Sequence, residues 1–341
     1  MIPLFLDCDP GIDDAVALGY LFCRDDVNLV GLAASGGNVS TEQVVTNTLG
    51  WLALAGRAEI PVHPGADHAL AGKSEYAEET HGDTGAGYAR LPAEVPGASD
   101  VDAAHAWVRA ARQHPGELIG VLTAPATNLA LALRIEPELP RLLKRLFIMG
   151  GAFNYRGNTR PTTEWNVTYD PEAAKEVIDA FSTAEQLPVI APLEATEAVE
   201  MTPARLAEVT ASLCSPQWSA WLEELGAALR FYFEFHETDG HGYLAHIHDP
   251  YVTAAALHWG LAQCDGTLDQ AERQRIPWAQ TATTTVDVEL AGTLTRGETV
   301  ADWLGRWSRK PNAELIRSID AEAFLSHLTD TLKKGPSPHG H

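Results

Sequence analysis

Met1-Ile-Pro-Leu-Phe-Leu-Asp-Cys-Asp-Pro-Gly-Ile-Asp-Asp14 decides the reading of this chain. A short apolar run ends in Asp7 and Asp9, and Pro10-Gly11 turns the backbone. Asp13 and Asp14 then open Ala15-Val-Ala-Leu-Gly-Tyr-Leu-Phe22, which reads as a helix. Side chains alternate along a strand, so Asp7 and Asp9 are expected on one face and Cys8 on the other. Four carboxylates thus fall within eight residues, at a strand end and a helix start. Two charges about 5 Å apart repel by roughly 3 kcal/mol at an effective dielectric near 20. A hard divalent cation with oxygen ligands cancels such repulsion. Capping and the helix dipole explain Asp13 and Asp14, but not all four acids. The stretch is no EF-hand, because counting from Asp7 the glycine position holds Ile12 and the glutamate position Leu18. A GxGxxG dinucleotide fingerprint is also absent from the turn.

The rest of the chain bounds the function class. It has 341 residues, 45% hydrophobic and 21% charged, the composition of a soluble globular protein, long enough for one large domain or two ordinary ones. A net charge of −22 argues against a nucleic-acid partner, which needs a basic face. Cysteines at 8, 23, 214 and 264 show no CxxC spacing and read as reduced thiols of a cytoplasmic protein. Neither a signal peptide nor an apolar run long enough to span a membrane is visible, so no membrane partner is expected.

Strand-like and helix-like stretches alternate. Leu4–Leu6 precedes the helix from Asp14, Val27–Ala34 precedes Thr41–Ala55, and Leu118–Leu122 precedes Asn128–Arg134. Leu146–Met149 leads through a long loop to Pro171–Phe181, and Leu187–Ile190 follows. This rhythm predicts an α/β fold, an open, mostly parallel sheet flanked by helices. Thr284–Leu290 alternates in the manner of a late edge strand. No linker or composition shift divides the chain, so residues 1–333 are expected to form a single domain and 334–341 a disordered tail.

In such sheets ligands bind outside the carboxyl ends of the strands. The segments expected there are Asp9 to Asp14, Ser35-Gly-Gly-Asn-Val-Ser40, Thr123-Ala-Pro-Ala-Thr-Asn128 and Gly150 to Asn166. They are polar or acidic and carry no P-loop lysine, which suits a polyol and a cation better than a phosphate.

Asp7-Cys-Asp-Pro-Gly-Ile-Asp-Asp14 closely resembles the signature of the inosine-uridine-preferring nucleoside hydrolases. Met149-Gly-Gly151, Gly157-Asn158, Glu164-Trp-Asn166 and Asp170-Pro-Glu-Ala-Ala174 match further motifs of that family, and the resemblance runs from residue 2 to about 330. One departure is Pro192-Leu-Glu-Ala-Thr-Glu197, where many relatives end the motif in histidine. The resemblance implies a Ca²⁺-dependent hydrolase of the N-glycosidic bond of ribonucleosides, assembled as a homodimer or homotetramer. It implies Asp7, Asp14, the Thr127 carbonyl and Asp249 as metal ligands, with Asp9 near or on the cation. Asp9 would be the general base toward a metal-activated water, and His248 the leaving-group acid. Asp13, Asn166 and Asp249 would hold the 2′- and 3′-hydroxyls, Asn38 the ribose site, and Asn158 and Glu164 the 5′-hydroxyl. His81 matches a family histidine on a mobile loop near the base.

In Arg230-Phe-Tyr-Phe-Glu-Phe-His236, helical spacing puts Tyr232 and His236 on one face. Both have polar tips on flat rings, which suits them to a nucleobase. Phe231 and Phe235 form a second pair, and one of the two pairs is expected in the core. Two alternatives stand beside the hydrolase. A haloacid-dehalogenase-like phosphatase also ends its first strand in Asp-x-Asp, with the first Asp as nucleophile. A non-catalytic ribose or nucleoside binder would keep the metal site alone.

Overall fold

The structure, a computed structural model, describes residues 1–72, 75–211 and 215–337. Chain order begins with β1 (Ile2–Cys8), α1 (Ile12–Phe22), β2 (Val27–Ala34), α2 (Thr41–Ala55) and β3 (Val62–Pro64). It continues through α3 (Glu78–His81), α4 (Ala103–Gln113), β4 (Ile119–Leu122), α5 (Thr127–Ile135), α6 (Leu139–Leu142) and β5 (Arg145–Met149). Then come α7 (Trp165–Tyr169), α8 (Pro171–Phe181), β6 (Val189–Ala191), α9 (Leu193–Thr196), β7 (Glu200–Met201) and α10 (Pro203–Thr210). The last third holds α11 (Pro216–Thr238), β8 (Ala245–His246), α12 (Asp249–Cys264), α13 (Gln270–Gln274), β9 (Ala279–Val288), β10 (Thr299–Asp302), β11 (Ala313–Ile319) and α14 (Ala321–Lys334).

Nine strands form one sheet in the order β10-β9-β11-β6-β5-β4-β1-β2-β3. From β3 across to β11 all neighbours are parallel, as the βαβ rhythm predicts. β9 is antiparallel to both β10 and β11. The Thr284–Leu290 stretch is therefore an inner strand, and β10 is the edge. Its alternating pattern reflects an antiparallel ribbon at the end of the sheet, where one face stays partly open.

β1 lies between β2 and β4 and is buried on both faces. Ile2, Leu4, Leu6 and Cys8 join the apolar layer that contains α1, α2, α11 and α12. Phe5 joins the opposite layer, with Trp107 of α4 packed on it at 4.6 Å between ring centroids. Full burial of one such large side chain contributes roughly 1.5–3 kcal/mol. From β1 the chain moves to β2 and β3 on one side, whereas β4, β5 and β6 build out the other. The two halves part between β1 and β4, so their carboxyl ends open a crevice at that switch point.

Lys334 is the last residue of α14, and Ser337 Oγ donates to Asp25 at 2.5 Å. The remainder of the expected tail, residues 338–341, lies outside the described residues, as does Cys214. Among the described residues no helix is long and apolar enough to cross a membrane.

Candidate active site

A cleft of about 480 Å³ opens at the switch point, a size typical of small-molecule sites. Asp9, Asp13, Asn38, His81, Asn158, Glu164, Asn166, Tyr232, His236, His248 and Asp249 all line it. They come from the loops after β1, β2 and β5, from the starts of α1, α7 and α12, and from α3 and α11.

Acids form the floor. Asp13, Asp14 and Asp249 each offer a carboxylate oxygen, and these oxygens lie within 4.8 Å of one another. All three residues are buried, and the carboxyls of Asp13 and Asp249 are hydrogen-bonded to each other. Asp14 Oδ2 accepts from Gly11 N–H at 3.1 Å, and its Oδ1 accepts from the Thr123 hydroxyl at 3.2 Å. Burial and then Asp13 push Asp14 up to about 7. Burial and neighbouring carboxylates push Asp9 and Asp249 well above the ordinary range. Such a group is stable only if protonated or bound to a cation. An all-oxygen donor set of this charge fits a hard divalent ion.

Asp9 is held from the other side. Its Oδ2 accepts from Asn38 N–H at 2.8 Å, and its backbone carbonyl accepts from Asn38 Nδ2 at 3.0 Å. Gly37 permits this approach, because a Cβ there would lie 2.1 Å from Asp9 Oδ2. Gly11 is under similar constraint, since its Cβ would meet Asn38 Nδ2 at 2.6 Å and His81 Nδ1 at 2.7 Å.

Glu164 caps α7, accepting from Asn166 N–H at 2.7 Å, Gly151 N–H at 2.9 Å and Val167 N–H at 3.2 Å. Asn166 spends its Nδ2 on the carbonyls of Thr123 at 3.0 Å and Met149 at 3.3 Å, which leaves Oδ1 as an acceptor. Asn158 sits on the rim, its Oδ1 taking Trp165 N–H at 3.0 Å. His248 donates its backbone N–H to Asp13 Oδ2 at 3.1 Å, and its ring Nδ1 lies 2.8 Å from the Thr196 hydroxyl. Burial, then His246, His236 and His81, keep the His248 ring well below the usual histidine range.

Residues 4–326 match the inosine-uridine preferring nucleoside hydrolase family. The chain belongs to that family. It is a nucleoside hydrolase, an N-ribosyl hydrolase that cleaves the N-glycosidic bond of ribonucleosides. Among its relatives is the pyrimidine-specific ribonucleoside hydrolase RihA of Salmonella arizonae, 32% identical over 334 residues that cover 97% of this chain and 98% of the relative. A plant nucleoside hydrolase, PpNRh1, superposes with a TM-score of 0.84 at 27% identity, covering 99% of both chains. A purine-preferring ribonucleoside hydrolase from Gardnerella vaginalis superposes with a TM-score of 0.83 at 26% identity, covering 97% of this chain and 98% of that one. The phosphatase alternative falls with this result. The geometry agrees, since Asp7, which that chemistry needs as nucleophile, is fully buried.

One expected ligand of the nucleoside hydrolase lies elsewhere. Asp7 does not line the cleft; its Oδ1 accepts from Ser35 Oγ at 2.6 Å and Asn128 Nδ2 at 3.3 Å, and its Oδ2 from Trp107 Nε1 at 2.7 Å. Both oxygens are thus taken by donors from the loop after β2, from α4 and from α5. The alternation rule links Asp7 with Asp9 only inside a strand, and β1 ends at Cys8. Asp7 follows Phe5 toward the α4 face, while Asp9 belongs to the turn. Thr127 is the first residue of α5, and its hydroxyl donates to Asp170 Oδ2 at 2.7 Å, a bond that does not involve the carbonyl expected at the metal. Thr123, immediately after β4, lines the cleft as well.

Other residues carry weaker sequence signals. Glu197, the family departure, lines the cleft and accepts from Tyr155 Oη at 2.7 Å and Arg156 Nη2 at 3.0 Å. It ties the loop after β5 across the mouth. His241 and His246 also line the cleft, though no motif singled them out. Tyr232 and His236 share the cleft face of α11, but Phe235 joins them there, so the two pairs do not separate cleanly. His81 is buried in α3 and accepts Ile12 N–H at 3.1 Å, so it is anchored to the catalytic turn.

Proposed function

We propose that this nucleoside hydrolase holds one Ca²⁺ on Asp14, Asp249 and Asp13, with Asp9, Thr123 and the Thr127 carbonyl beside it. The observation that carries this is the convergence of three buried carboxylates within 4.8 Å. The cation, when bound, acidifies water and orients a ribose diol. The remaining chemistry belongs to the chain. Asp9, fixed by Asn38, takes a proton from the attacking water. Asp13, Asp249 and Asn166 Oδ1 accept hydrogen bonds from the 2′- and 3′-hydroxyls. Asn158 and Glu164 stand toward the 5′-hydroxyl. The bond breaks toward an oxocarbenium-like ribosyl cation, which this nest of oxygens stabilises where positive charge develops. The base departs toward Tyr232, His236 and His81, and His248, neutral at rest, relays to it a proton taken from solvent at Nε2.

Residues 1–333 are taken as one domain, since one sheet spans the N-terminal and C-terminal strands. Assembly as a homodimer or homotetramer and a cytoplasmic setting belong to the same reading, by family resemblance. The test is free-base release from a panel of ribonucleosides, with Ca²⁺ and after chelation, alongside metal analysis of the dialysed protein. One calcium per chain and loss of base release on chelation support the reading. Zinc in the site, or full activity without any ion, overturns it.

A further inference from the structure

Three imidazoles at the base end of the cleft have their tautomers set by backbone atoms. His236 Nδ1 lies 2.9 Å from the carbonyl oxygen of Tyr232, and His246 Nδ1 lies 2.7 Å from that of Glu197. A carbonyl only accepts, so each Nδ1 carries the hydrogen and each Nε2 keeps a bare lone pair. His81 is the reverse. Ile12 N–H occupies its Nδ1 at 3.1 Å, so its hydrogen sits on Nε2.

The rings are also held neutral. Burial, then His236, pushes His81 down to about 3. Burial pushes His236 down to about 4, and burial lowers His246 as well. None of the three can exchange donor for acceptor cheaply, because a tautomer change sets a lone pair against a carbonyl oxygen, or N–H against N–H.

His236 and His246 pack edge to face at 4.9 Å, and both line the cleft. His246 is only 8% exposed, and its Nε2 has no hydrogen-bond partner among the described residues. A buried acceptor without a donor is costly, and a ligand N–H satisfies it. His241, with 29% of its side chain exposed, packs edge to face on His246 at 5.2 Å between ring centroids.

We propose that this pair of fixed acceptors reads the far edge of the nucleobase and selects bases with an exocyclic amino group, so that cytidine is preferred to uridine and adenosine to inosine. The inference rests on the reading of the cleft as a ribonucleoside site. An amino group presents two N–H donors, one for each Nε2. A keto oxygen presents lone pairs to lone pairs. The ring N–H of uracil or hypoxanthine satisfies one acceptor and leaves the neighbouring oxygen facing the other. The Tyr232 hydroxyl can rotate to donate or accept, so it does not discriminate. The selection concerns the edge of the base and is separate from its ring size.

The test compares kcat/KM for cytidine, uridine, adenosine and inosine on the calcium-loaded enzyme, with 4-nitrophenyl riboside as a control that needs no base edge. In the ring class turned over faster, the amino nucleoside should lead by about 10- to 100-fold, the usual range when a buried polar group loses its partner. His246→Gln, whose amide can donate or accept, should bring that ratio toward one. If the variant does not fold, product inhibition of the wild type decides: the free amino base should inhibit more strongly than its keto counterpart. An equal or reversed wild-type ratio, with the nitrophenyl riboside turned over, overturns the inference and leaves the hydrolase reading standing. Failure to turn over any riboside removes that reading, and the inference with it.

Discussion

The Thr196 hydroxyl donates to the carbonyl of Pro192 at 3.1 Å and lies 2.8 Å from Nδ1 of His248. With its single hydrogen on Pro192, the hydroxyl oxygen accepts from His248 Nδ1–H. In the neutral ring Nε2 is then the bare nitrogen, the one that can take a proton from solvent and pass it to the departing base. Thr196→Val keeps the shape and removes this acceptor. Base release from natural nucleosides should fall by about 10-fold, in line with one hydrogen bond to a group that becomes charged. The activated 4-nitrophenyl riboside should be nearly unaffected, because its leaving group needs no acid. Equal losses on both substrates would mean that Thr196 shapes the ribose site instead.

Asp9→Asn preserves the contact with Asn38 N–H through its Oδ1 and removes the basic oxygen. Turnover should fall by roughly 10²–10⁴, the worth of a positioned acid or base. Ribose affinity, read by inhibition with free ribose, should change little. A tenfold loss or less would assign the base elsewhere in the cleft.

Calcium and pH should be linked through stability. Burial and then Asp13 raise Asp14 to about 7, while Asp9 and Asp249 are also raised. Unfolded aspartates titrate near 4. Without metal, the folded state therefore holds extra protons between about pH 4 and 7, and stability is lost as pH rises through that window. Calcium replaces those protons. The gain in Tm on adding Ca²⁺ should be small at about pH 5 and largest above about pH 7. Thermal melts with calcium or chelator at several pH values check this. A gain that is independent of pH would place the ion away from these carboxylates.

Asp7 and Asp14 should behave differently. Asp7→Asn sets an amide N–H₂ either against Trp107 Nε1–H or, in the other flip, against Ser35 and Asn128, at a cost of about 1–3 kcal/mol for each unsatisfied group. Its Tm should drop while calcium stays at one per chain. Asp14→Ala should lose calcium and base release together. Loss of calcium in Asp7→Asn at retained fold would restore Asp7 to the metal.

By itself the sequence determined the layered α/β plan, because buried parallel strands and their helices leave periodic apolar runs. Val27–Ala34, Thr41–Ala55 and Pro171–Phe181 fall where the pattern put them. It also determined the family, through Asp7 to Asp14 and the motifs after β5. Tertiary structure decided which of those acids meet. Asp7 and Asp9 are two residues apart, yet a strand ending at Cys8 sends one carboxylate into a cage of donors and the other to the cleft. The histidine group is less legible still. His81, His236, His246 and His248 span more than 160 residues of chain, and their tautomers depend on Ile12, Tyr232, Glu197 and Thr196. Hydrogen-bond direction is set by which backbone atom lies within 3 Å or so of a ring nitrogen, and only folding brings those atoms together.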